Sequence, residues 1–297
     1  MNTYEIVTER IINLLERGII PWRRPWAAAG LPRNLISKKT YRGINSFLLG
    51  ATKYVSPYWL TFKQANQLGG AVRKGEHGEI VVFWKIEDAD QTDPDAAQSE
   101  GDESARRRIL LRFYRVWNVE QCALPQAVLD KLPPIETHQH DPIAAAEKII
   151  AGMPNPPEIR YGGSQAFYSP LTDRITLPSR ARFATAADFY AVLDHELAHS
   201  SGHRTRLNRE SITETTPFGS PVYSREELLA EMCAAFLCAD AGISPVVLEN
   251  QTAYVQGWLG KLRGGDKRMV VTAAAQAQRA ADYILNVHGD GDDAAKP

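Results

Sequence analysis

The chain has 297 residues, and its composition of 44% hydrophobic and 23% charged residues is typical of a folded protein rather than a disordered one. No apolar run approaches the roughly 20 residues of a membrane-spanning helix, and the first residues lack the features of a signal peptide. The net charge of −1 conceals 13 basic against 5 acidic residues over positions 1–86. We therefore expect a cytoplasmic protein of two domains, with a polyanion as partner of the first domain and no membrane contact.

The first domain is predicted over residues 1–125 as an α+β unit with a small antiparallel sheet. Apolar residues at helical spacing predict helices that begin at Thr3, near Asn45 and at Thr61. The two prolines of GIIPWRRPW favour an extended segment after the first helix.

Two strands of this domain are predicted to enclose an acidic insertion. The segments EIVVFWKI and ILLRFYRVWNV are rich in β-branched and aromatic residues, which is typical of strands. Residues 87–105 carry eight acidic side chains and no basic one. This composition predicts a long mobile loop within one sheet.

The second domain is predicted over residues 143–290, after a proline-containing linker at residues 126–142. We expect it to be mainly helical, with a short sheet whose strands lie in QAFYS and DRITLP. Residues 291–297 are expected to form a disordered tail.

The segment HELAH is typical of a catalytic metal site. It lies on a predicted helix from Thr185 to Gly202, where positions i and i+4 share one face, so that His195 and His199 offer two imidazole nitrogens to one ion. Glu196 is placed to take a proton from a water that the ion activates. The spacing predicts a metallohydrolase centre, against the alternative of a helix whose histidines make structural hydrogen bonds.

A third protein ligand from a separate helix leaves one coordination position open for water. The segment EELLAE, about 30 residues after the motif, resembles the ligand helix of the gluzincins. In that pattern a small residue follows the glutamate ligand by three positions, and a carboxylate or amide follows it by four. Glu227, Ala230 and Glu231 fit. The resemblance implies that Glu227 is the third ligand and that Glu231 orients an imidazole through its free N–H.

His203 competes for the third place. It extends the motif to HExxHxxxH, the spacing of SprT-like proteases, but two helical turns separate it from His195 by about 12 Å unless the chain turns at Gly202. The sequence thus leaves three candidates for the third metal ligand, namely His203, Glu227 and Glu231. Outside the ligand set, His203 is expected to support the ligands or the structure. The candidate oxyanion donors that flank the motif elements are Tyr168 and Tyr223.

The first domain interleaves basic and aromatic residues in a largely non-helical segment, IPWRRPWAAAGLPRNLISKKTYR. A basic groove with aromatic rings on which bases stack is typical of proteins that bind single-stranded nucleic acid. The alternative is that the tryptophans are core residues and the basic side chains a solvated face. No recognition-helix, zinc-finger or basic-zipper pattern indicates a reader of duplex DNA. The residues expected to bind single-stranded DNA are Trp22, Arg23, Arg24, Trp26, Arg33, Lys38, Lys39, Tyr41, Arg42, Lys53, Arg73 and Lys74.

Over nearly its full length the chain resembles the ArdC-type antirestriction proteins. The first half carries the resemblance in RIINLLERGIIPWRRPW, NLISKKTYRGINSFLL and GGAVRKG, and the second half in DRITLP, HELAHSSGHRTRLNR and YSREELLAEMCAAFL. The resemblance implies an N-terminal domain that binds single-stranded DNA and a C-terminal zincin-like metallopeptidase domain. It also implies a role in protecting incoming plasmid DNA from host restriction, and relatives among plasmid primase accessory proteins.

The sequence is compatible with three functions. The chain is a DNA-guided zinc protease directed at restriction-modification proteins, a DNA shield with a structural metal, or a protease of proteins bound or crosslinked to DNA. The intact Glu196 favours the enzymatic functions, because a structural metal site has no use for a general base. Zinc is the expected ion and manganese the alternative, since a His-His-Glu set accepts several divalent metals.

Overall fold

The structure, a computed structural model, describes residues 2–17, 19–23, 31–54, 56–88, 107–132, 142–162, 165–183, 185–213, 221–243 and 251–287. Its helices are α1 (Thr3–Glu16), α2 (Ile44–Gly50), α3 (Phe62–Gln67), α4 (Gln126–Leu129), α5 (Pro142–Gly152), α6 (Ala186–Ser200), α7 (Glu210–Thr213), α8 (Pro221–Ala241), α9 (Gln251–Gly264) and α10 (Met269–Ile284). Its strands are β1 (Arg33–Asn34), β2 (Tyr58–Leu60), β3 (Ala71–Val72), β4 (Glu79–Asp88), β5 (Arg107–Asn118), β6 (Cys122–Ala123), β7 (Glu158–Tyr161), β8 (Phe167–Ser169) and β9 (Arg174–Leu177). The α+β fold class expected from the sequence is confirmed.

The main sheet of the first half has the order β1-β2-β5-β4. Its centre is the antiparallel hairpin of β4 and β5, which pairs from Glu79 opposite Val116 to Asp88 opposite Arg107. β1 pairs with β2 in parallel, so the expectation of an antiparallel sheet is wrong at this edge. The reason is the connection, because the chain passes through α2 between the two strands and such a crossover permits parallel pairing.

Asn45 of α2 closes the opposite edge of this sheet. Its side-chain amide donates to the carbonyl of Val82 at 2.8 Å and accepts from the N–H of Val82 at 2.7 Å. The sheet ends at β4, and an outermost strand leaves such backbone groups without a neighbouring strand. These bonds fix α2 against the hairpin.

The second half is built around α6, α8 and α10, with a sheet of order β7-β9-β8 against α6. The strands expected in QAFYS and DRITLP are β8 and β9, which pair antiparallel. The sequence did not predict β7 or α9. The strand EIRY has only four residues and is largely exposed, and α9 contains three glycines, which are poor helix formers.

One apolar core runs through both halves. Phe47 of α2 stacks on Phe236 of α8 with ring centroids 4.8 Å apart, and Trp22 packs edge-on against Trp258 of α9 at 6.1 Å. The chain after residue 125 first continues as α4, and Val128 packs against the core of the first half. The two predicted domains therefore share a core, and packed structure extends into the predicted linker.

Several expectations fall on the parts of the chain outside the described residues. These parts include residues 89–105 of the acidic insertion, residues 133–141 of the linker and the tail at 291–297. The segment after α1 forms a short 3-10 helix at Pro21–Arg23 where an extended chain was expected. Among the described helices, none has the length and hydropathy needed to cross a bilayer.

Candidate metal centre

Helix α6 carries the HELAH segment. At its start, the side chain of Thr185 caps the helix and accepts a hydrogen bond from the N–H of Asp188 at 3.1 Å, which confirms that the helix begins there. The last residue of the helix is Ser200, slightly before the predicted end. Leu193 and Leu197 are fully buried in the shared core and anchor the helix.

Three metal-ligating side chains converge between α6 and α8. The Nε2 atoms of His195 and His199 lie 3.1 Å apart. Glu227 places Oε2 at 3.6 Å from the first of these nitrogens and Oε1 at 3.6 Å from the second. Ligand atoms 2.0–2.1 Å from a tetrahedral ion lie about 3.4 Å apart. The three side chains therefore fit one small divalent ion, and their ligand atoms all lie within 4.8 Å of one another.

Glu196 is only 7% exposed and belongs to the same helix as the two histidines. Burial raises the pKa of its carboxyl, although the charges of His199 and His195 and a hydrogen bond with the backbone of Tyr168 act in the opposite direction. A carboxylate with a raised pKa is a better base near neutral pH than an ordinary one. The site thus combines ligand atoms with a candidate general base.

His195 lies among three carboxylates. Burial would lower the pKa of His195, but its contact with Glu227 at 3.6 Å and the charges of Glu231, Glu196 and Glu227 outweigh burial and raise the pKa. Glu231 therefore acts on the pKa of His195 through its charge, and its predicted role of orienting an imidazole through the free N–H stays a prediction. A cluster of negative charge around two imidazoles favours a bound cation.

Glu226, which the sequence analysis did not single out, is a further acid at this centre and is 4% exposed. One carboxylate oxygen lies 3.3 Å from Nδ1 of His199, and the carboxylate accepts from Arg209 at 2.6 and 3.1 Å and from the hydroxyl of Ser211. Burial would raise the pKa of Glu226, but the bond with His199 and the charge of Arg209 lower it to about 2. The only sequence signal was the doublet of glutamates at 226–227.

Arg209 also fastens the end of α6. Its guanidinium donates to the carbonyl of Ala198 and to the hydroxyl of Ser201, each at 2.8 Å. A Cβ atom on Gly202 would lie 2.9 Å from Cζ of Arg209 and 2.7 Å from Cγ1 of Ile212. A side chain at position 202 would therefore collide with Ile212 and Arg209, which favours glycine there.

His203 lies outside the ligand group. Its Nδ1 accepts from the N–H of Thr205 at 3.3 Å and lies 4.0 Å from the carboxylate of Asp173. The hydroxyl of Tyr168 donates to Asp173 at 2.9 Å, so the described contact of this hydroxyl is with a carboxylate and gives no support to an oxyanion role. The side chain of Tyr223 lies outside the described residues.

Arg206 connects the elements around the motif helix and its side chain has no exposed surface. It binds both carboxylate oxygens of Asp173, at 2.7 and 2.8 Å. It also donates to the carbonyls of Ser200 at 3.0 Å and Asn155 at 2.7 Å. The turn between β8 and β9 is thereby fixed to the end of α6.

Comparison with known proteins finds a matching family for each half of the chain. Residues 1–117 match the N-terminal domain of anti-restriction factor ArdC, and residues 144–276 match a zincin-like metallopeptidase. Protein y4eC of Sinorhizobium fredii is 38% identical over 290 residues, which cover 95% of this chain and 91% of that protein. The metal-free crystal structure of antirestriction protein ArdC from plasmid R388 has a TM-score of 0.74 and 34% identity, over 97% of this chain and 98% of that one. The chain belongs to the ArdC family.

A Mn(II)-bound ArdC structure from the same plasmid has a TM-score of 0.73 and 33% identity, over 98% of this chain and 100% of that one. DNA primase TraC of Escherichia coli is 35% identical over 300 residues, and this chain, covered to 95%, spans 27% of that protein. The zincin-like match and the donor group of α6 and α8 together support a divalent-metal site in this ArdC-family chain.

Within the part of the chain that matches the ArdC N-terminal domain, most basic residues expected to bind DNA lie at the surface. Arg42 is exposed and pairs with Asp282, and Arg33 is half-buried. The exposed members of the expected set are Lys38, Lys39, Arg42, Lys53, Arg73 and Lys74. They remain predicted DNA contacts.

Two aromatic members of the expected set are buried. Trp22 is 2% exposed and packs edge-on against Phe47 as well as Trp258, and Tyr41 is also buried. A ring enclosed in the core cannot stack on a base, so both are withdrawn from the DNA-binding set. The side chain of Arg23 and the whole of Arg24 and Trp26 lie outside the described residues.

Exposed aromatic rings occur instead on and beside the hairpin. Phe62 is 54% exposed, and Trp84 and Phe113 are each 41% exposed. Arg115 is exposed and lies on the same face of β5 as Phe113, because alternate strand residues share a face. Trp84 and Phe113 were expected only as strand residues, since a strand pattern alone does not tell which aromatic rings other elements cover.

Proposed function

We propose that this ArdC-family chain is an antirestriction protein that binds single-stranded DNA and protects incoming plasmid DNA from host restriction. We further propose that protection depends on a peptidase-like metal centre in the second half. The observation that carries the proposal is the buried Glu196 beside the donor group of His195, His199 and Glu227, in a chain similar to ArdC over its full length.

The residues present fit a divalent ion in both chemistry and spacing. His195, His199 and Glu227 would hold it, and two imidazoles with one carboxylate suit zinc and also accept manganese. Zinc is the proposed ion, and the Mn(II)-bound ArdC structure supports manganese as the alternative. When bound, such an ion supplies a Lewis acid that polarises a carbonyl group and makes water more acidic.

The protein's own contribution to the chemistry lies in Glu196 and its surroundings. Glu196 takes a proton from the attacking water and can return it to the leaving amine. The backbone of Tyr168 in β8 favours the charged form of this carboxylate. A buried general base supports a catalytic centre over a purely structural metal site, and the proposed substrate is a protein of the restriction-modification system or another DNA-associated protein.

The first half supplies the DNA-binding surface in this proposal. Exposed basic residues neutralise phosphates, and exposed rings stack on bases. The excess of basic over acidic residues at positions 1–86 supports a polyanion partner for this half. Phe62, Trp84 and Phe113 replace Trp22 and Tyr41 as the proposed stacking residues because they are exposed.

The test compares the wild type with Glu196→Gln and with Glu210→Gln, a matched change at an exposed acid of the same half. Metal content, binding of a labelled single-stranded oligonucleotide across salt, and protection of an incoming plasmid in restricting cells are measured for each. We expect all three proteins to hold metal and DNA, and only Glu196→Gln to lose protection. Full protection by Glu196→Gln would replace the catalytic proposal with a passive DNA shield. Absence of DNA binding by the wild type would refute the role of the first half.

A further inference from the structure

We infer that the Arg209–Glu226 ion pair fixes the tautomer of His199, so that Nδ1 carries the hydrogen and Nε2 presents its lone pair to the ion. Glu226 is thus a positioning residue of the metal centre, in addition to Glu231. The inference rests on the proposed metal centre and concerns a contact that the spacing of HExxH and the gluzincin pattern does not include.

The groups around Glu226 determine which atom carries the hydrogen. Besides His199, the described partners of its carboxylate are the guanidinium of Arg209 and the hydroxyl of Ser211. A carboxylate paired with a guanidinium accepts hydrogen bonds and donates none. Since Nδ1 of His199 lies 3.3 Å from this carboxylate, a favourable contact requires the hydrogen on Nδ1. The other tautomer would bring two acceptors together.

The opposite side of the same ring is directed at the ligand group. Nε2 of His199 lies 3.1 Å from Nε2 of His195 and 3.6 Å from the carboxylate of Glu227. A neutral imidazole with its hydrogen on Nδ1 keeps a lone pair on Nε2. That lone pair is the form in which histidine ligates a metal.

Arg209 fixes both partners of this contact. Its side chain is 10% exposed and that of Glu226 is 4% exposed, so the ion pair is shielded from solvent. The same guanidinium bonds the carbonyl of Ala198 and the hydroxyl of Ser201 at the end of α6. The carboxylate and the helix that carries His199 are therefore held by one group. Partners that orient a metal-ligating histidine typically change metal affinity 10- to 100-fold.

The tautomer is measured directly in the wild-type protein, without any variant in the network. Metal-free protein labelled with ¹⁵N at histidine is studied at pH 8 by two-bond ¹H–¹⁵N correlation, and the His199 signals are assigned by their loss in His199→Gln. We expect the pattern of a ring with hydrogen on Nδ1 only. A ring with hydrogen on Nε2, or on both nitrogens, overturns the inference.

A second measurement tests the consequence for binding. Zinc and manganese affinities of Glu226→Gln, Arg209→Met and the control Glu210→Gln, a change at an exposed acid next to Arg209, are measured by chelator competition, and unfolding in EDTA is followed in parallel. We expect Glu226→Gln and Arg209→Met to bind about 10- to 100-fold more weakly, and Glu210→Gln to stay within about threefold of the wild type. A folded Glu226→Gln that binds as tightly as Glu210→Gln would show a purely structural role and overturn the inference.

The two proposals fail in different ways. If the wild type binds neither zinc nor manganese, the proposed metal centre is refuted, while the tautomer measurement on metal-free protein still decides the inference about His199. If the wild type binds metal but His199 carries its hydrogen on Nε2, the metal centre stands and the role given to Arg209 and Glu226 is refuted.

Discussion

Phe47 stacks on Phe236 with ring centroids 4.8 Å apart and planes 28° apart. The first ring belongs to the helix that Asn45 fixes to the β4–β5 hairpin, and the second belongs to the helix that carries Glu227. Neither ring is exposed to an appreciable degree, and both lie in the core that runs through the two halves. The half proposed to bind DNA and the half with the candidate metal centre are therefore expected to unfold as one unit.

Phe47→Ala is expected to lower the free energy of unfolding by about 3–5 kcal/mol, because it removes a fully buried ring and leaves a cavity. Urea unfolding is followed by circular dichroism and by tryptophan fluorescence, and the two transitions should coincide. The control is Phe62→Ala, whose ring is mostly exposed, and it should cost less than about 1 kcal/mol. Two separate transitions, with only one shifted by Phe47→Ala, would contradict the shared core.

The third metal ligand is tested by comparing Glu227→Ala with His203→Ala. Removal of a ligand should weaken metal binding by at least about 100-fold, because the remaining two imidazoles no longer complete the site. His203→Ala should bind nearly as well as the wild type, since His203 contacts Thr205 and lies outside the ligand group. Isothermal titration of the metal-free proteins measures both affinities. A large loss of metal affinity in His203→Ala alone would identify His203 as the third ligand in place of Glu227.

Acid stability is expected to depend on Asp173. Burial alone would raise its pKa, but its bonds with Arg206 and Tyr168 lower the pKa below the usual value. A lowered pKa stabilises the folded state above the unfolded pKa of about 3.9, and this contribution is lost as the pH falls through the folded value. Asp173→Asn should therefore be less stable at pH 7 and lose less stability than the wild type on acidification below about pH 5.

Urea unfolding in EDTA at several pH values measures this difference, with Asp130→Asn as the control at an exposed acid. The control should keep the pH dependence of the wild type. An Asp173→Asn protein whose stability falls with pH as steeply as that of the wild type would rule out this ion pair as a source of acid sensitivity.

Basic and aromatic residues of the first half are expected to affect DNA binding in different ways. Lys39→Gln and Lys74→Gln should each reduce the salt slope of single-strand binding by about 0.7, since each removes one phosphate contact. Trp84→Ala should weaken binding by about 1–3 kcal/mol and leave the slope unchanged. Fluorescence anisotropy across salt measures both quantities, with Lys148→Gln of the second half as the control. An unchanged salt slope in both lysine variants would show that the DNA does not contact Lys39 or Lys74.

The sequence predicted the residues of the site that follow a regular spacing on one helix. It did not predict those that only tertiary packing brings to the site. His195, Glu196 and His199 follow from spacing on α6, and Glu227 was expected from the resemblance to gluzincins. Glu226 contacts His199 because α8 packs against α6, and the chain that turns after Gly202 brings Arg209 back to pair with Glu226 at the end of α6. No periodic pattern encodes that return.

The first half illustrates a second limit of sequence analysis. Trp22 stands among arginines, and its neighbours alone favoured a surface that contacts DNA. Its ring is instead covered by Phe47 and by Trp258, which comes from the other end of the chain. Local composition cannot anticipate a partner that only the tertiary fold supplies.

The amide of Asn45 occupies the position on β4 where the backbone of another strand would bond. An open sheet edge is a site where identical chains join and aggregate. Proteins that gather along one strand of DNA would meet each other at high local concentration, and at such spacing an open edge would convert neighbours into a fibre. By occupying both hydrogen-bonding groups of Val82 with the side chain of Asn45, the protein blocks strand pairing with another copy at this residue.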